Sequence, residues 1–230
     1  MRFDVLTLFP ELIQSHMDFS IMKRASDEGI IEVNTVNPRD YTLDKHKKVD
    51  DTPYGGGAGM VLMPQPYVDA YENVEKCDNS ITVMMTPQGE PFTDKLSNEL
   101  ASYDQVIILC GHYEGFDERI REIIKPREIS IGDFVLTGGE LPALCIIDSV
   151  SRKIEGTLGK IESAHDDSFS DGLLEYPQYT KPRNYRGLEV PEVLLNGNHK
   201  LIEEFHQEQK IIRTKKKRPD LYKKWKSENK

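Results

Sequence analysis

Short apolar runs rich in Val and Ile alternate with helical segments over the first two thirds of the chain. The runs lie at residues 3–9, 30–36, 81–86 and 106–110. Helical spacing is found for Met22 and Ala25 before Gly29, over residues 68–74, and for Leu96 with Leu100. The runs have the length and β-branching of buried strands. This alternation predicts an α/β domain with a mostly parallel sheet and helices on both faces.

A polar loop over residues 38–59 interrupts this pattern and is far longer than the usual connection of about 4 to 6 residues. It ends in the glycine-rich segment YGGGAGM, residues 54–60. No Lys-Ser or Lys-Thr pair follows Gly59, so the segment does not match a phosphate-binding loop. The glycines instead indicate positive φ angles or the close approach of another segment.

The segment CGHYEGFDERI, residues 110–120, follows an apolar run and opens a predicted helix. Open α/β sheets bind ligands at such strand exits. His112, Glu114, Asp117 and Glu118 could form a metal cluster, and the first three would then indicate a metal-dependent hydrolase. However, the i, i+4 His pair of helical metal sites is missing, and acids that cap a helix are the alternative.

Two further strand exits carry turn residues: MMTPQG at 84–89, and Gly138-Gly139 within EISIGDFVLTGGELPAL at 128–144. An apolar helix is predicted over residues 140–154. Backbone groups at such exits can bind a nucleoside, although a tight left-handed turn would also explain the Gly-Gly pair. We expect the three exit loops to converge on one edge of the sheet.

Residues 156–172 contain three Ser and three Gly and few apolar side chains, which is typical of a linker. Helical periodicity returns over residues 191–195, 200–212 and 218–226. We therefore predict a first domain over residues 1–155, a flexible linker over 156–171 and a small all-helical domain over 172–230.

Charge is divided unevenly between these parts. The net charge is −9, but residues 1–171 carry 16 basic and 31 acidic side chains, whereas residues 172–230 carry 14 and 8. A basic patch can attract a polyanion despite a negative total, so an RNA-binding module is one hypothesis. A solvated terminal helix is the simpler alternative.

The three cysteines are widely spaced and form no metal-like pair, which favours a reducing cytoplasm. No run approaches the ~20 apolar residues of a membrane span, so we expect no membrane association.

Taken together, the segments resemble the bacterial tRNA (guanine-N1)-methyltransferase (TrmD) family of knotted SPOUT methyltransferases. The similar blocks, which run through nearly the whole chain, are FDVLTLFPE at 3–11, DDTPYGGGAGM at 50–60, TPQG at 86–89, residues 110–120 and 128–144, DSVSR at 148–152, DSFSDGLLEYPQYTKP at 167–182, VPEVLLNGNH at 190–199 and RPDL at 218–221.

The resemblance implies a deep trefoil knot in the α/β domain, a homodimer, and S-adenosylmethionine bound by the exit loops. The residues that it assigns to the cofactor are Met85, Thr86, Pro87, Gly111, Glu114, Ile131, Gly132, Phe134, Val135, Leu136, Gly138 and Gly139. It also raises Mg²⁺ as a further cofactor, although no segment has the pattern of a metal site.

For catalysis, the resemblance implies that Asp167 removes the N1 proton of a guanine and that Arg152 stabilises the charge on its O6 atom. The target is the guanine just 3′ of the anticodon in tRNA. Phosphate contacts to the anticodon arm are expected from Lys215, Lys216, Lys217 and Arg218. From the residues alone, Asp167 would be a turn residue and Arg152 a helix-terminal cation.

The sequence departs from the family pattern at three places. His112 stands where relatives often have Arg, Phe134 where many have Tyr, and Phe205-His206 where Trp-Arg is common. A knotted methyltransferase for another RNA position therefore remains an alternative, beside the hydrolase and the non-catalytic RNA-binding module. We expect residues 156–171 to become ordered only when tRNA docks.

Overall fold

The computed structural model describes residues 1–158 and 167–229. The chain divides into two compact units, Met1–Gly159 and Lys160–Lys230. The expected linker over residues 156–171 is described only at its ends, and residues 159–166 lie outside the described residues.

Unit 1 is an α/β domain, as the alternation predicts. Its strands are β1 (Arg2–Leu6), β2 (Glu32–Val36), β3 (Asp50–Asp51), β4 (Val61–Leu62), β5 (Ser80–Pro91), β6 (Gln105–Leu109) and β7 (Arg127–Ser130). Its helices are α1 (Pro10–Met17), α2 (Ser20–Asp27), α3 (Pro64–Glu72), α4 (Asp94–Leu100), α5 (Glu118–Ile124) and α6 (Glu140–Ser151). A short 3-10 helix spans Pro38–Asp40.

Five strands form one parallel sheet in the order β2-β1-β6-β5-β7. Its central strand β6 is buried along its whole length, which fits a run of Val, Ile and Leu covered on both faces. One apolar cluster joins the sheet to α1, α2, α4 and α6, and a second joins it to α3 and α5. The prediction of helices on both faces is confirmed.

The glycine-rich loop has the backbone that its composition indicates. Gly55, Gly56, Gly57 and Gly59 all have positive φ angles, which glycine adopts without a steric penalty. The loop joins β3 to β4, and Leu62 of β4 exchanges backbone hydrogen bonds with the segment that follows β6. The long polar loop is thus attached, through β4, to the segment that leaves the carboxyl end of β6.

Unit 2 contains helices α7 (His199–Lys217) and α8 (Pro219–Glu228). The prediction that it is all helical is wrong, because Asn184–Tyr185 (β8) and Leu188–Glu189 (β9) form an antiparallel hairpin. The helix predicted over residues 191–195 is a single 3-10 turn at Glu192–Leu194. Pro191 precedes this turn and no side chain caps it, so nothing extends it into an α-helix.

The two described ends of the expected linker are structured within their own units. Thr157 is fully buried in unit 1, where its carbonyl accepts a hydrogen bond from Arg24. Residues 167–171 begin a hydrogen-bonded turn in unit 2. Among the described residues, none of the helices combines the length and the apolar character that a bilayer span requires.

Candidate active site

Three exit loops of the parallel sheet surround one cleft in unit 1, with a volume of about 490 Å³. The first loop lies within β5, whose pairing with β7 shifts in register between Met85 and Glu90. The second follows β6, and the third connects β7 to α6. The loops meet because the carboxyl ends of parallel strands lie at the same edge of a sheet.

All twelve residues assigned to the cofactor lie on the wall of this cleft. Met85, Thr86 and Pro87 come from the first loop, Gly111 and Glu114 from the second, and Ile131, Gly132, Phe134, Val135, Leu136, Gly138 and Gly139 from the third. The structure brings them together, while their contact with a cofactor stays a prediction.

Gly138 and Gly139 are needed for close approach rather than for a left-handed turn. Neither has a positive φ angle, and Gly139 has φ −82°. A Cβ on Gly139 would lie 2.7 Å from the Cα of Cys110, and a Cβ on Gly138 would collide with the His112 ring. The Gly139 N–H donates to the Gly111 carbonyl at 2.8 Å, so the second and third loops pack backbone against backbone.

A buried carboxylate connects three segments beside the cleft. Glu140, at the start of α6, is only 2% exposed. The Thr7 hydroxyl donates to its Oε1 atom and the His112 Nε2 donates to its Oε2 atom, both at 2.6 Å. Thr7 follows β1 and His112 follows β6, so the pair of hydrogen bonds fixes the ends of two strands to the helix. The His112 ring also packs against Phe9, with 4.8 Å between the ring centroids.

Two groups near Glu140 have raised pKa values. Burial, followed by the Glu140 charge, raises the pKa of the Cys110 thiol well above its ordinary value. Burial also raises the pKa of Tyr67, with smaller contributions from Cys110 and Glu140, and its hydroxyl donates to the Cys110 carbonyl at 3.1 Å. Both groups therefore stay neutral at physiological pH.

The side chains proposed for a metal site have separate roles. His112 bonds Glu140, and the Glu114 side chain packs against Gly59. Asp117 caps α5 through the Arg119 N–H and pairs with the Arg119 guanidinium, which lowers the pKa of the carboxyl. Over residues 1–158 and 167–229, no group of three His, Cys, Asp or Glu side chains could hold a metal ion. Asp117 is therefore an acid that caps a helix, which was the alternative to a metal ligand.

Arg152 and Asp167 belong to different units. Arg152 is the C-cap of α6, where its N–H donates to the Asp148 carbonyl. Asp167 is half-buried and starts the turn of residues 167–175, since its carbonyl accepts hydrogen bonds from the N–H and the hydroxyl of Ser170.

The turn that carries Asp167 is held against α7 within unit 2. Lys210 pairs with Asp171 at 2.5 Å, and the buried Thr214 hydroxyl accepts from the Leu174 N–H at 2.8 Å. Within the turn, Ser168 accepts from the Glu175 N–H at 3.0 Å. Both serines of the DSFSDG segment, Ser168 and Ser170, therefore stabilise the turn that begins at Asp167.

The four predicted RNA-binding cations lie at the junction of α7 and α8. Lys215, Lys216 and Lys217 form the last turn of α7 and are exposed. Arg218 joins the helices and makes a two-point ion pair with Asp220. A phosphate group would therefore compete with Asp220 for Arg218.

Comparison with known proteins decides the family. The family described as tRNA (Guanine-1)-methyltransferase TrmD matches residues 1–224. The chain belongs to this family. It is 54% identical to the tRNA (guanine-N(1)-)-methyltransferase of Staphylococcus epidermidis (strain ATCC 35984) over 221 residues, which cover 96% of this chain and 90% of the relative.

A second relative comes from Clostridioides difficile (strain 630). It has the same name, and it is 55% identical over 227 residues, 97% of this chain and 98% of its own length. The Staphylococcus carnosus (strain TM300) protein of that name is 54% identical over 225 residues, 98% of this chain and 92% of its length. The similarity thus extends through both units.

Some cleft residues were not identified from the sequence. Gln88, Tyr113, Ser130 and Thr137 line the cleft itself. The sequence could have indicated these four residues only through their position, since each lies within a few residues of a predicted cofactor residue. Thr7 and Glu140 do not line the cleft but are joined to its wall through His112, and each looks locally like an ordinary strand end or helix start.

Proposed function

We propose that this protein methylates N1 of the guanine just 3′ of the anticodon in tRNA, with S-adenosylmethionine as the methyl donor. Its family membership makes it a tRNA (guanine-N1)-methyltransferase. The observation that carries the proposed cofactor site is the convergence of the three exit loops on one cleft. The tRNA position rests on the family resemblance.

The cleft fits S-adenosylmethionine in size and chemistry. Small-molecule sites usually have volumes of about 300 to 1,000 Å³, with apolar walls and a few polar groups. Phe134, Val135 and Leu136 are exposed apolar residues beside the cleft, where an adenine ring could cover them. The glycines allow the backbone to approach a ligand closely, and Glu114 adds a carboxylate for a cationic group.

When bound, S-adenosylmethionine supplies a methyl group on a sulfonium that leaves as a neutral thioether. The guanine N1 is a weak nucleophile because it carries a proton near neutral pH. We assign removal of that proton to the carboxylate of Asp167 and stabilisation of the charge that develops on O6 to the Arg152 guanidinium. The hydrogen-bonded turn that begins at Asp167 supports this assignment, because a general base must be held in place.

Among the described residues, no group of three His, Cys, Asp or Glu side chains offers a site for Mg²⁺ held by protein ligands alone. No step of the proposed reaction passes through Mg²⁺.

Three further properties are proposed from the resemblance. The chain forms a trefoil knot around the second and third loops, which agrees with the close approach of Gly139 to Cys110. It forms a homodimer, to which exposed apolar residues such as Leu12 and Leu141 would contribute. It binds the anticodon arm through residues 215–218 in the cytoplasm, where tRNA is modified.

Methyl transfer to matched tRNA transcripts tests this function. We expect labelled methyl from S-adenosylmethionine to enter a transcript with guanine 3′ of the anticodon and not one with adenine there. Digestion should yield 1-methylguanosine. Equal labelling of the two transcripts would contradict the assigned position.

The Asp167→Asn variant tests the proposed base. We expect its kcat to fall about 10²- to 10⁴-fold with cofactor binding retained, because a general base contributes about that much. Asp166→Asn is the matched control, since it removes the adjacent carboxylate. If Asp166→Asn lost the activity and Asp167→Asn kept it, the assignment would be wrong.

A further inference from the structure

The hairpin of β8 and β9 in unit 2 is exposed over its whole length. Residues 178–189 are all exposed, including Tyr185 at 58% and Leu188 at 77%. An isolated two-stranded hairpin is marginally stable in water. This one adds no residue to either apolar cluster among the described residues, so core packing does not explain it.

The two faces of the hairpin differ in chemistry. Tyr185 is paired with Leu188 and Asn184 with Glu189, so each pair shares a face. Arg183 lies in the bend just before β8, where its carbonyl accepts a hydrogen bond from the Val190 N–H. On the face opposite Tyr185, the Asn184 amide donates to the Glu189 carboxylate at 3.1 Å. The Tyr185 ring and the Glu189 carboxylate therefore lie on opposite faces.

The turn places a cation beside the Tyr185 ring. Arg186 and Gly187 have φ angles of 55° and 83°, the pattern of a two-residue type I′ turn. Asn, Asp or Gly is usual at the first of these positions. An arginine with a positive φ angle has a higher conformational energy there, and such strained residues are concentrated at functional sites. The Arg186 guanidinium lies 5.3 Å from the centroid of the Tyr185 ring.

We infer that this hairpin is an RNA contact, in which Tyr185 and Arg186 stack on an unpaired base of the tRNA and Arg183 contacts a phosphate. The inference rests on the proposed function, because it takes tRNA as the partner. Proteins recognise single-stranded RNA loops by stacking bases on aromatic rings and on guanidinium planes. The excess of basic side chains over residues 172–230 favours a polyanion as well.

One existing contact opposes the phosphate role of Arg183. Its guanidinium is 3.6 Å from the Glu192 carboxylate, and both side chains are largely exposed. Exposed pairs of this kind contribute little and are screened by salt, so a phosphate group can replace Glu192.

Two variants test the contact without unfolding the hairpin. Arg186→Asn removes the guanidinium and puts a residue suited to a type I′ turn at the tip. Tyr185→Thr removes the ring and keeps a residue that favours strands. The full-length protein is titrated with an unmodified tRNA transcript at several salt concentrations, and with S-adenosylmethionine.

We expect Arg186→Asn to raise the Kd for tRNA about 5- to 10-fold, because the base loses one of its two stacking partners. Tyr185→Thr should raise the Kd about 5- to 100-fold, the effect of losing one stacked base. Tyr185→Phe should bind like the unsubstituted protein. Lys200→Asn removes an exposed charge in α7, outside the hairpin, and should have less than a twofold effect.

Unchanged tRNA affinity in both hairpin variants would overturn the inference, as would an equal loss in Lys200→Asn, which would indicate a general charge effect. A changed sedimentation coefficient with unchanged tRNA affinity would also overturn it, because the hairpin would then bind a second copy of the chain. Failure of the proposed function looks different, since the unsubstituted protein itself would then fail to methylate tRNA.

Discussion

At the scale of single residues, the Glu140 carboxylate is a polar group that is bonded to the cleft wall through His112. It is buried, it accepts from Thr7 and His112, and it begins α6, where the helix dipole favours a negative charge. Because Thr7 follows β1, His112 follows β6 and Glu140 begins α6, the network joins the ends of two strands to the start of that helix.

Glu140→Ala should therefore destabilise the protein by about 1 to 3 kcal/mol, because the buried Thr7 hydroxyl loses its acceptor. Affinity for S-adenosylmethionine should fall as well. Urea unfolding measures the first effect, and calorimetric titration measures the second. Glu122→Ala removes an exposed carboxylate from α5 and is the control. Equal unfolding midpoints for the two variants would refute the role of Glu140.

Gly139 provides a second test at this scale. Its missing Cβ leaves room for the Cys110 backbone, so Gly139→Ala should cost about 1 to 3 kcal/mol and weaken cofactor binding at least tenfold. Gly29→Ala is the comparison, because Gly29 has φ +71° and open space around it. That variant should lose about 1 kcal/mol through backbone strain and keep its cofactor affinity. Normal binding by Gly139→Ala would show that close approach is not required there.

Sequence reasoning located the glycines and not the carboxylate for a physical reason. A Gly-Gly pair at a strand exit is a local signal, although the sequence left open whether turn geometry or close approach explains it. The partner of Glu140, by contrast, is Thr7, which is 133 positions away in the chain. Only the folded sheet brings the two together.

At the scale of elements, the strands of four or more residues were predictable, including the short β7, whereas the two-residue strands and the continuation of β5 were not. The run at residues 81–86 continues as β5 through Pro91, although TPQG looks like the start of a turn. Pairing with β7 resumes beyond the register shift and extends the strand. The β8–β9 hairpin was missed because its strands have two residues each and its Arg-Gly turn lacks the usual Asn-Gly or Asp-Gly signal.

The junction of α7 and α8 yields a pH prediction. The Arg218 guanidinium lowers the pKa of Asp220 to about 2. Because this folded-state pKa lies below the unfolded one, the contribution of the pair is present above about pH 4 and is lost as the pH falls through about 2. An NMR titration of the Asp220 carboxyl carbon should show this low midpoint, and Arg218→Gln should raise it. A midpoint near 4 before substitution would exclude the ion pair in solution.

At the scale of the whole molecule, the division of charge reflects the division of the chain. The sequence placed the end of the first domain at residue 155, and the first compact unit ends at Gly159. Composition could indicate this boundary because a loss of apolar residues is a local property. The proposed knot and dimer depend on how segments thread and pair, which no local pattern encodes, so only the family resemblance suggests them.

The central claim is that the three exit loops of unit 1 form the S-adenosylmethionine site of this methyltransferase. A crystal structure of the protein with S-adenosylhomocysteine, the product of methyl transfer, tests it most directly. We expect the nucleoside to lie between residues 85–88, 111–116 and 131–139, in contact with the backbone of Gly138 or Gly139. Ligand density outside this cleft, with the cleft empty, would contradict the claim.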